Sequence, residues 1–341
     1  MAKIIFACGG TGGHVYPAIA LAQYLSSTAI TFLVSTQRKD KEIVQSYGYQ
    51  SIEIPSSNKN LLTLCRGCMR AWHFFKKSKP QLLVATGGYH TVPIIIAAKL
   101  LKIPIILLEQ NVLPGRTNRY LAKIATHTCV SFPESRAYLS DAIVTGNPIR
   151  QTYQAEPLLT PLLATLSTHP TILIIGGSQG ARGLNLFFHD QRERLLSSSY
   201  NLIHLTGQSF FKQHFDGQQP TFKDSGTGAV CIVLPYCEDM KTLYEAADLI
   251  IARAGATTIA ELITFQKKAI LVPYPYAKDN HQHYNAIAFT DRGNGMIIAE
   301  NQLQAATILE QIQQLLTQPF KRQELKEDPL SILSKLMQSY Y

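Results

Sequence analysis

The residues best suited to chemistry sit where apolar runs give way to small residues. Leu249-Ile250-Ile251 leads into the turn Arg253-Ala254-Gly255-Ala256, and residues 257–265 then read as a helix. Such a turn gathers unpaired backbone N–H groups and the positive end of a helix dipole at one point, which suits a pyrophosphate. Glu261 lies one turn inside, where a carboxylate can accept hydrogen bonds from ribose hydroxyls. The spacing Thr258-x-x-Glu261 equally fits a capping box with no ligand. A later polar cluster, Asp279-Asn280-His281-Gln282, offers to complete a site around this helix.

Two more glycine turns carry candidates. Gly9-Gly10-Thr11-Gly12-Gly13-His14 follows a short apolar run, and its glycines let a ligand approach the backbone closely. His14 closes that turn and is suited to take or orient a hydroxyl proton. Gly176-Gly177-Ser178-Gln179-Gly180 contains the Gly-x-Ser-x-Gly spacing of a hydrolase nucleophile elbow, and Ser178, Asp279 and His281 supply the order Ser, Asp, His. That serine hydrolase is the alternative reading. It leaves the first 146 residues unexplained, and it sets Asp279 and His281 closer together than separate catalytic loops need. Otherwise Ser178 is a helix N-cap or a phosphate-facing hydroxyl.

These turns need elements to position them. Lys3-Ile4-Ile5-Phe6-Ala7 is a strand, residues 16–26 an amphipathic helix with Pro17 near its start, and residues 30–35 a second strand. This is a βαβ unit, but the glycines miss the dinucleotide spacing. Gln37-Arg38-Lys39 also stands where a ribose-binding acid belongs, so NAD is excluded. Leu82-Leu83-Val84-Ala85 ends in Thr86-Gly87-Gly88-Tyr89. Residues 103–108 end in Glu109-Gln110-Asn111, polar groups at the carboxyl edge where α/β sheets bind ligands. Asn118 opens the next helix, as a cap or as part of the site. After Gly146-Asn147-Pro148-Ile149-Arg150 a polar stretch, residues 151–170, reads as a linker. The pattern of strand, doubled glycine and helix then restarts at Thr171. The expected architecture is two α/β halves facing one another across a cleft, residues 1–150 and 151–325. A closing amphipathic helix, within about 325–341, is expected to pack on the first.

Composition narrows the function. The chain has 341 residues, 46% hydrophobic and 16% charged, which suits two globular domains. No apolar stretch reaches the roughly 20 residues that span a bilayer, and the N-terminus enters a strand directly, so a cytoplasmic protein is expected. The six cysteines are scattered, with Cys65-x-x-Cys68 the only close pair, which is poor zinc spacing and favours reduced thiols. The formal net charge of +9 implies a polyanionic partner: nucleic acid, an anionic membrane surface or a phosphorylated substrate. Leu61, Cys65, Cys68, Trp72 and Phe75 recur on one helical face, with Arg66, Arg70, His73 and Lys77 beside it. That helix either packs on the core with a solvated basic flank or dips into anionic lipid.

Transfer from a nucleotide sugar would use a diphosphate seat, a ribose acceptor, a base pocket and an acceptor site. In the order Gly9-Gly10-Thr11-Gly12-Gly13-His14, Glu109-Gln110-Asn111, Gly115-Arg116-Thr117-Asn118, Gly146-Asn147-Pro148-Ile149-Arg150, Gly176-Gly177-Ser178-Gln179-Gly180-Ala181-Arg182, Arg253-Ala254-Gly255-Ala256 and Asp279-Asn280-His281-Gln282, the chain resembles the MurG family over roughly residues 3–300. These are bacterial N-acetylglucosaminyltransferases of peptidoglycan synthesis. The resemblance implies a GT-B fold of two Rossmann-like domains. It also implies inverting transfer of N-acetylglucosamine from UDP-N-acetylglucosamine to the 4-hydroxyl of the muramoyl sugar of lipid I, giving lipid II, at the cytoplasmic face of the plasma membrane. Glu261 would then hold the ribose, the backbone of Ala256, Thr257, Thr258 and Ile259 the diphosphate, and backbone near Cys237 the uracil. Gln282 and Asn285 would bind sugar hydroxyls, and Ser178 and Arg150 the donor. Thr11, Gly12, Gly13 and Asn111 would face the transferred sugar, with His14, Tyr89, Glu109 and Asn118 near the acceptor. His14 is the first candidate for general base and Glu109 the second. With no Asp-x-Asp motif, neither metal nor cofactor is expected. Peripheral attachment to an anionic membrane accounts for the charge without nucleic acid. Ala254 stands where Ser is common, and His281 where Gln also occurs.

Overall fold

The computed structural model describes the chain except residues 1, 2, 11, 26–28, 37–39, 58, 59, 152–155, 157, 158, 178, 179, 216–220 and 323–326. The chain divides into two compact units, Met1–Gln151 with Leu325–Tyr341, and Thr152–Glu324.

The first unit holds seven parallel strands: β1 (Lys3–Ala7), β2 (Ala29–Ser35), β3 (Gln50–Ile54), β4 (Leu82–Ala85), β5 (Ile105–Glu109), β6 (His127–Val130) and β7 (Ile143–Val144), in the order β3-β2-β1-β4-β5-β6-β7. Alternate residues feed opposite faces of the sheet. Ile4, Phe6, Val84 and Leu108 lie in the core under the helix Gly12–Tyr24; Ile5, Ala85 and Leu107 lie under the helices Leu61–Ser78 and Val92–Leu100. Being covered on both sides, the central strands β1, β4 and β5 read as nearly unbroken apolar runs.

The helix Pro329–Gln338 completes this unit. Leu330, Leu333 and Met337 are buried in the same core cluster as Val15, Ile19 and Leu21 of the first helix. Burying each stabilises by about 1.5–3 kcal/mol, and Leu333→Ala would cost about 2–5 kcal/mol. Asp328 caps this helix by accepting from the Leu330 N–H at 3.2 Å.

The helix after the first glycine turn begins at Gly12, not near residue 16, so Gly12, Gly13 and His14 form its first turn. Pro17 therefore lies inside the helix and offers no N–H to the Gly13 carbonyl. The second correction concerns Leu61–Ser78. Gly67, Ala71 and Phe75 are its buried residues, so the face drawn from Leu61 to Phe75 divides: Phe75 is buried, Cys68 and Trp72 are half-buried, and Leu61 and Cys65 are exposed. Small residues set the face: a Cβ on Gly67 would lie 2.0 Å from the Pro55 carbonyl oxygen. Leu61, Leu62 and Met69 are left exposed beside Arg66 and Arg70. No described helix is long and apolar enough to cross a membrane.

The second unit repeats the plan with β8 (Thr171–Ile175), β9 (Asn201–Leu205), β10 (Thr221–Lys223), β11 (Val230–Leu234), β12 (Leu249–Ala252), β13 (Lys268–Leu271) and β14 (Gly295–Ile297), in the order β10-β11-β9-β8-β12-β13-β14. Only β10 runs antiparallel. The stretch expected to link the units contains a short helix, Leu159–Leu163, within this second unit.

In each sheet the strand order reverses between two neighbours, β1 and β4 in the first, β8 and β12 in the second. A crevice opens outside the carboxyl ends at such a point. All four of these strands run into small-residue turns: Gly9-Gly10, Thr86-Gly87-Gly88, Gly176-Gly177 and Ala254-Gly255. Topology thus gathers the sequence's glycine turns in pairs.

Candidate active site

In the first unit the β1 and β4 turns are bonded through His14. Its Nδ1 lies 2.8 Å from the Thr86 carbonyl oxygen. A carbonyl only accepts, so Nδ1–H donates and the neutral ring carries its lone pair on Nε2. A Cβ on Gly88 would lie 3.9 Å from that Nε2. The basic nitrogen therefore looks onto bare backbone, where a substrate hydroxyl can approach. The turn itself is fixed by Asp40, buried at the start of the helix Asp40–Ser46, whose Oδ2 accepts from the Gly10 N–H at 3.1 Å. Sequence reading missed Asp40; an acid opening a helix was its only signal. Burial, and next the Asp40 charge, push the Cys8 thiol well above its ordinary range.

Glu109 is 2% exposed at the end of β5, and its carboxylate is heavily used. Oε1 accepts from Asn111 N–H at 2.9 Å and Asn111 Nδ2 at 3.3 Å; Oε2 accepts from Asn118 Nδ2 at 2.7 Å and Gly115 N–H at 3.2 Å. Asn118, 3% exposed, passes the network on by accepting from the Gly88 N–H at 2.9 Å. Gly87 must be glycine here, with φ +83° and Asn118 Nδ2 2.2 Å from where a Cβ would be. The expected second base is thus a clamp that shapes the loop from 109 to 118 and the β4 turn. Asn111 is half-buried in this loop, and its carbonyl accepts from Ser135 Oγ at 3.1 Å. Tyr89 opens a short 3-10 turn and lies against the His90 ring, with centroids 3.7 Å apart.

Arg150, expected at the donor, is 8% exposed within the first unit. Its guanidinium donates to Tyr47 Oη and stacks 4.7 Å from the Tyr16 ring centroid. Desolvated cation–aromatic contacts commit it to bracing the first helix.

In the second unit the helix Ala256–Thr264 starts at Gly255, and no side chain caps it. The Ile259 N–H closes the first helical bond onto the Gly255 carbonyl at 2.9 Å. The N–H groups of Ala256, Thr257 and Thr258 precede that bond and point out of the helix start. Ile259, with its N–H already used and its side chain buried, belongs to the core rather than the seat. Thr257 Oγ1 is buried with no hydrogen-bond partner among the described residues. The capping-box alternative fails, because the N-cap is Gly255: Thr258 stands third in the helix and Glu261 sixth. Glu261 Oε2 accepts from Tyr244 Oη at 2.9 Å. Tyr244 is fully buried and stacked on Phe265, with centroids 5.0 Å apart.

Arg253 anchors the turn from beneath. It donates to the Val272 and Pro273 carbonyls at 3.1 and 3.3 Å and pairs with Glu300. Asn285, expected against a sugar, is fully buried, and its Nδ2 donates to the Ala254 carbonyl at 3.2 Å. It ties the helix His281–Thr290 to the turn instead. Gln282 is half-buried at that helix's start and accepts from the Tyr274 N–H at 2.8 Å. Before it, Asp279 and Asn280 both have left-handed φ, 52° and 53°. After glycine, Asn and Asp visit that conformation most readily. Cys237 is buried after β11, its thiol pushed up to about 12 by burial and next by Glu156. With its thiol buried, Cys237 can offer a ligand only its backbone. Thr11 and Ser178 lie outside the described residues. Among the described residues no three His, Cys, Asp or Glu side chains form a metal-binding group.

The model of the glycosyltransferase family 28 N-terminal domain matches residues 4–130 and that of its C-terminal domain residues 171–339. The latter extends over the closing helix that the structure assigns to the first unit. The chain is 36% identical to the UDP-N-acetylglucosamine--N-acetylmuramyl-(pentapeptide) pyrophosphoryl-undecaprenol N-acetylglucosamine transferase of Desulfotalea psychrophila, over 95% of this chain and 90% of that one. It is 34% identical to the protein of that name from Halothermothrix orenii, over 92% and 90%. The crystal structure of Acinetobacter baumannii MurG superposes with a TM-score of 0.77 at 27% identity, over 99% of this chain and all of that one. The calicheamicin glycosyltransferase CalG4, at 14% identity and a TM-score of 0.71 over 100% and 98% of the two chains, shares the fold. These findings do not support the serine hydrolase built on Ser178, Asp279 and His281. The fold is GT-B, and the chain belongs to glycosyltransferase family 28, among the UDP-N-acetylglucosamine:N-acetylmuramyl-(pentapeptide) pyrophosphoryl-undecaprenol N-acetylglucosamine transferases.

Proposed function

We propose that this enzyme moves N-acetylglucosamine from UDP-N-acetylglucosamine to the 4-hydroxyl of a muramoyl sugar carried on undecaprenyl diphosphate, at the cytoplasmic membrane surface. The observation that carries the donor half is the uncapped start of the helix Ala256–Thr264 with Glu261 one turn inside. Three outward N–H groups and the helix dipole hold the diphosphate, and Glu261 takes ribose hydroxyls. Gln282 reaches the sugar, and backbone near Cys237 the uracil. Asn285 and Arg253 act from behind by holding the turn.

The reaction is one displacement with inversion. The acceptor oxygen bonds to the anomeric carbon as that carbon's bond to the UDP oxygen breaks. His14 Nε2 takes the acceptor proton, and the bond from Nδ1 to Thr86 holds the ring in the required tautomer. Negative charge gathering on departing UDP is offset by the helix start. Glu109 and Asn118 shape the acceptor loop, with Asn111, Gly12, Gly13 and Tyr89 at its surface.

The acceptor's lipid requires the first unit to meet a bilayer. Exposed Leu61, Leu62 and Met69 beside Arg66 and Arg70, and exposed Leu100 and Tyr120 near Lys99, Arg116 and Lys123, supply apolar contact with basic neighbours.

Calorimetric titration without metal tests the donor half. Binding of UDP-N-acetylglucosamine in preference to UDP-glucose, with NADPH inert, is expected. Absence of binding to any of them overturns the reading, and labelling by a serine-reactive fluorophosphonate would then reinstate Ser178.

A further inference from the structure

We infer that Tyr244 is a positioning residue for ribose recognition, acting through Glu261; this rests on the donor site proposed above. Glu261 sits half-buried on the helix Ala256–Thr264, on a chain long enough to adopt several rotamers in solvent. One of its oxygens accepts from Tyr244 Oη at 2.9 Å. Tyr244 is itself immobile: it is fully buried on the helix Met240–Ala246, and its ring stacks on Phe265, 5.0 Å away and 11° from parallel. Phe265 immediately follows the helix that carries Glu261, and its N–H donates to the Glu261 carbonyl at 2.8 Å. Backbone and side chain of Glu261 are therefore both tied to the Tyr244–Phe265 stack.

A carboxylate offers about four lone-pair directions, so the phenolic hydrogen takes one of several and does not by itself bar a ribose diol. The phenol sets the plane in which that capacity points. A carboxylate fixed before the ligand arrives loses no rotamer freedom on binding. Phenylalanine at 244 keeps the ring, its burial and the stack, and removes only the oxygen that aims Glu261.

The test is calorimetric titration of UDP and of 2′,3′-dideoxyuridine diphosphate into four proteins: wild type, Tyr244→Phe, Glu261→Gln and the double variant. Wild type should prefer UDP by about tenfold or more, the ratio expected for hydrogen bonds to a charged acceptor. Tyr244→Phe should lose about threefold to tenfold of that preference while binding the dideoxy compound as wild type does. In the Glu261→Gln background it should change neither affinity. A purely structural role for the hydroxyl would weaken both nucleotides together, and that result overturns the inference. So does a Tyr244→Phe protein with the full wild-type preference. If wild type binds UDP without preferring it, ribose recognition by Glu261 fails as well; if wild type does not bind UDP, the donor site fails with it.

Discussion

Replacing Glu109 by glutamine separates a clamp from a base. The wild-type carboxylate accepts two hydrogen bonds on each oxygen, from Asn111 N–H and Nδ2 on Oε1 and from Gly115 N–H and Asn118 Nδ2 on Oε2. Glutamine has one oxygen and one NH2 group. Whichever way the amide is turned, two donors face a donor. Turning the Asn118 amide to satisfy the new NH2 would set its own NH2 against the Gly88 N–H, which now donates to Asn118 Oδ1. No arrangement of the two amides recovers every bond. Each buried donor left without an acceptor costs about 1–3 kcal/mol, so Glu109→Gln should destabilise the first unit by about 2–5 kcal/mol. Trp72, the only tryptophan of the chain, lies in that unit, so its fluorescence during guanidinium unfolding reads the loss directly. Turnover should fall only as far as the loop loosens. If the midpoint is unchanged while kcat drops about 10²–10⁴-fold, the loss expected for a missing base, Glu109 is the base and the clamp reasoning is refuted.

Three further outcomes are expected. His14→Ala should lower kcat by about 10²–10⁴-fold with UDP affinity unchanged, and an equal loss in UDP affinity would remove His14 from the acceptor half. His204 is buried on β9 with Nε2–H donating to Asn185 Oδ1 at 3.1 Å, and burial, then the nearby His189 and Arg192, lowers its pKa to about 3. The unfolded chain takes this proton below about pH 6.5 and the folded chain does not, so stability falls with pH across the window from 6.5 to 3, by about 2 kcal/mol between pH 7 and pH 5. His204→Gln should abolish that part of the slope, read by hydrogen exchange at the amides of Leu202, Ile203 and Leu205; an unchanged slope places the protonation elsewhere. Leu62→Glu with Met69→Glu should cut binding to anionic vesicles at least about tenfold and leave unfolding unchanged, since both residues are exposed; undiminished binding would move the membrane contact off this helix.

The sequence by itself determined the repeated strand–glycine–helix plan, the parallel sheets and the turns at their carboxyl ends. Those features rest on local patterning: unbroken apolar runs, doubled glycines, a polar residue just past a strand. The spacing of the first glycines, with no acid at the end of the second strand, also argued against NAD. The resemblance carried by seven ordered motifs named the family that the comparisons then supported. What only the tertiary structure decided is which way each polar group points. Thr258-x-x-Glu261 has the letters of a cap, yet the helix begins at Gly255, which sets Thr258 and Glu261 inside it, and Glu261 accepts from Tyr244, seventeen residues away in sequence. Spacing could rank His14 before Glu109 as a base but could not show that Glu109 accepts four hydrogen bonds while a His14 nitrogen lies near bare backbone. Nor could it show Asn285 buried against Ala254, or Arg150 buried against Tyr16 and Tyr47. The buried face of the helix Leu61–Ser78 followed its small residues, because the close approach of Gly67 to Pro55 outweighs larger apolar side chains one step round the helix. A hydrogen bond has a direction and a partner, and partners far apart in sequence meet only when the fold of each unit sets their elements side by side.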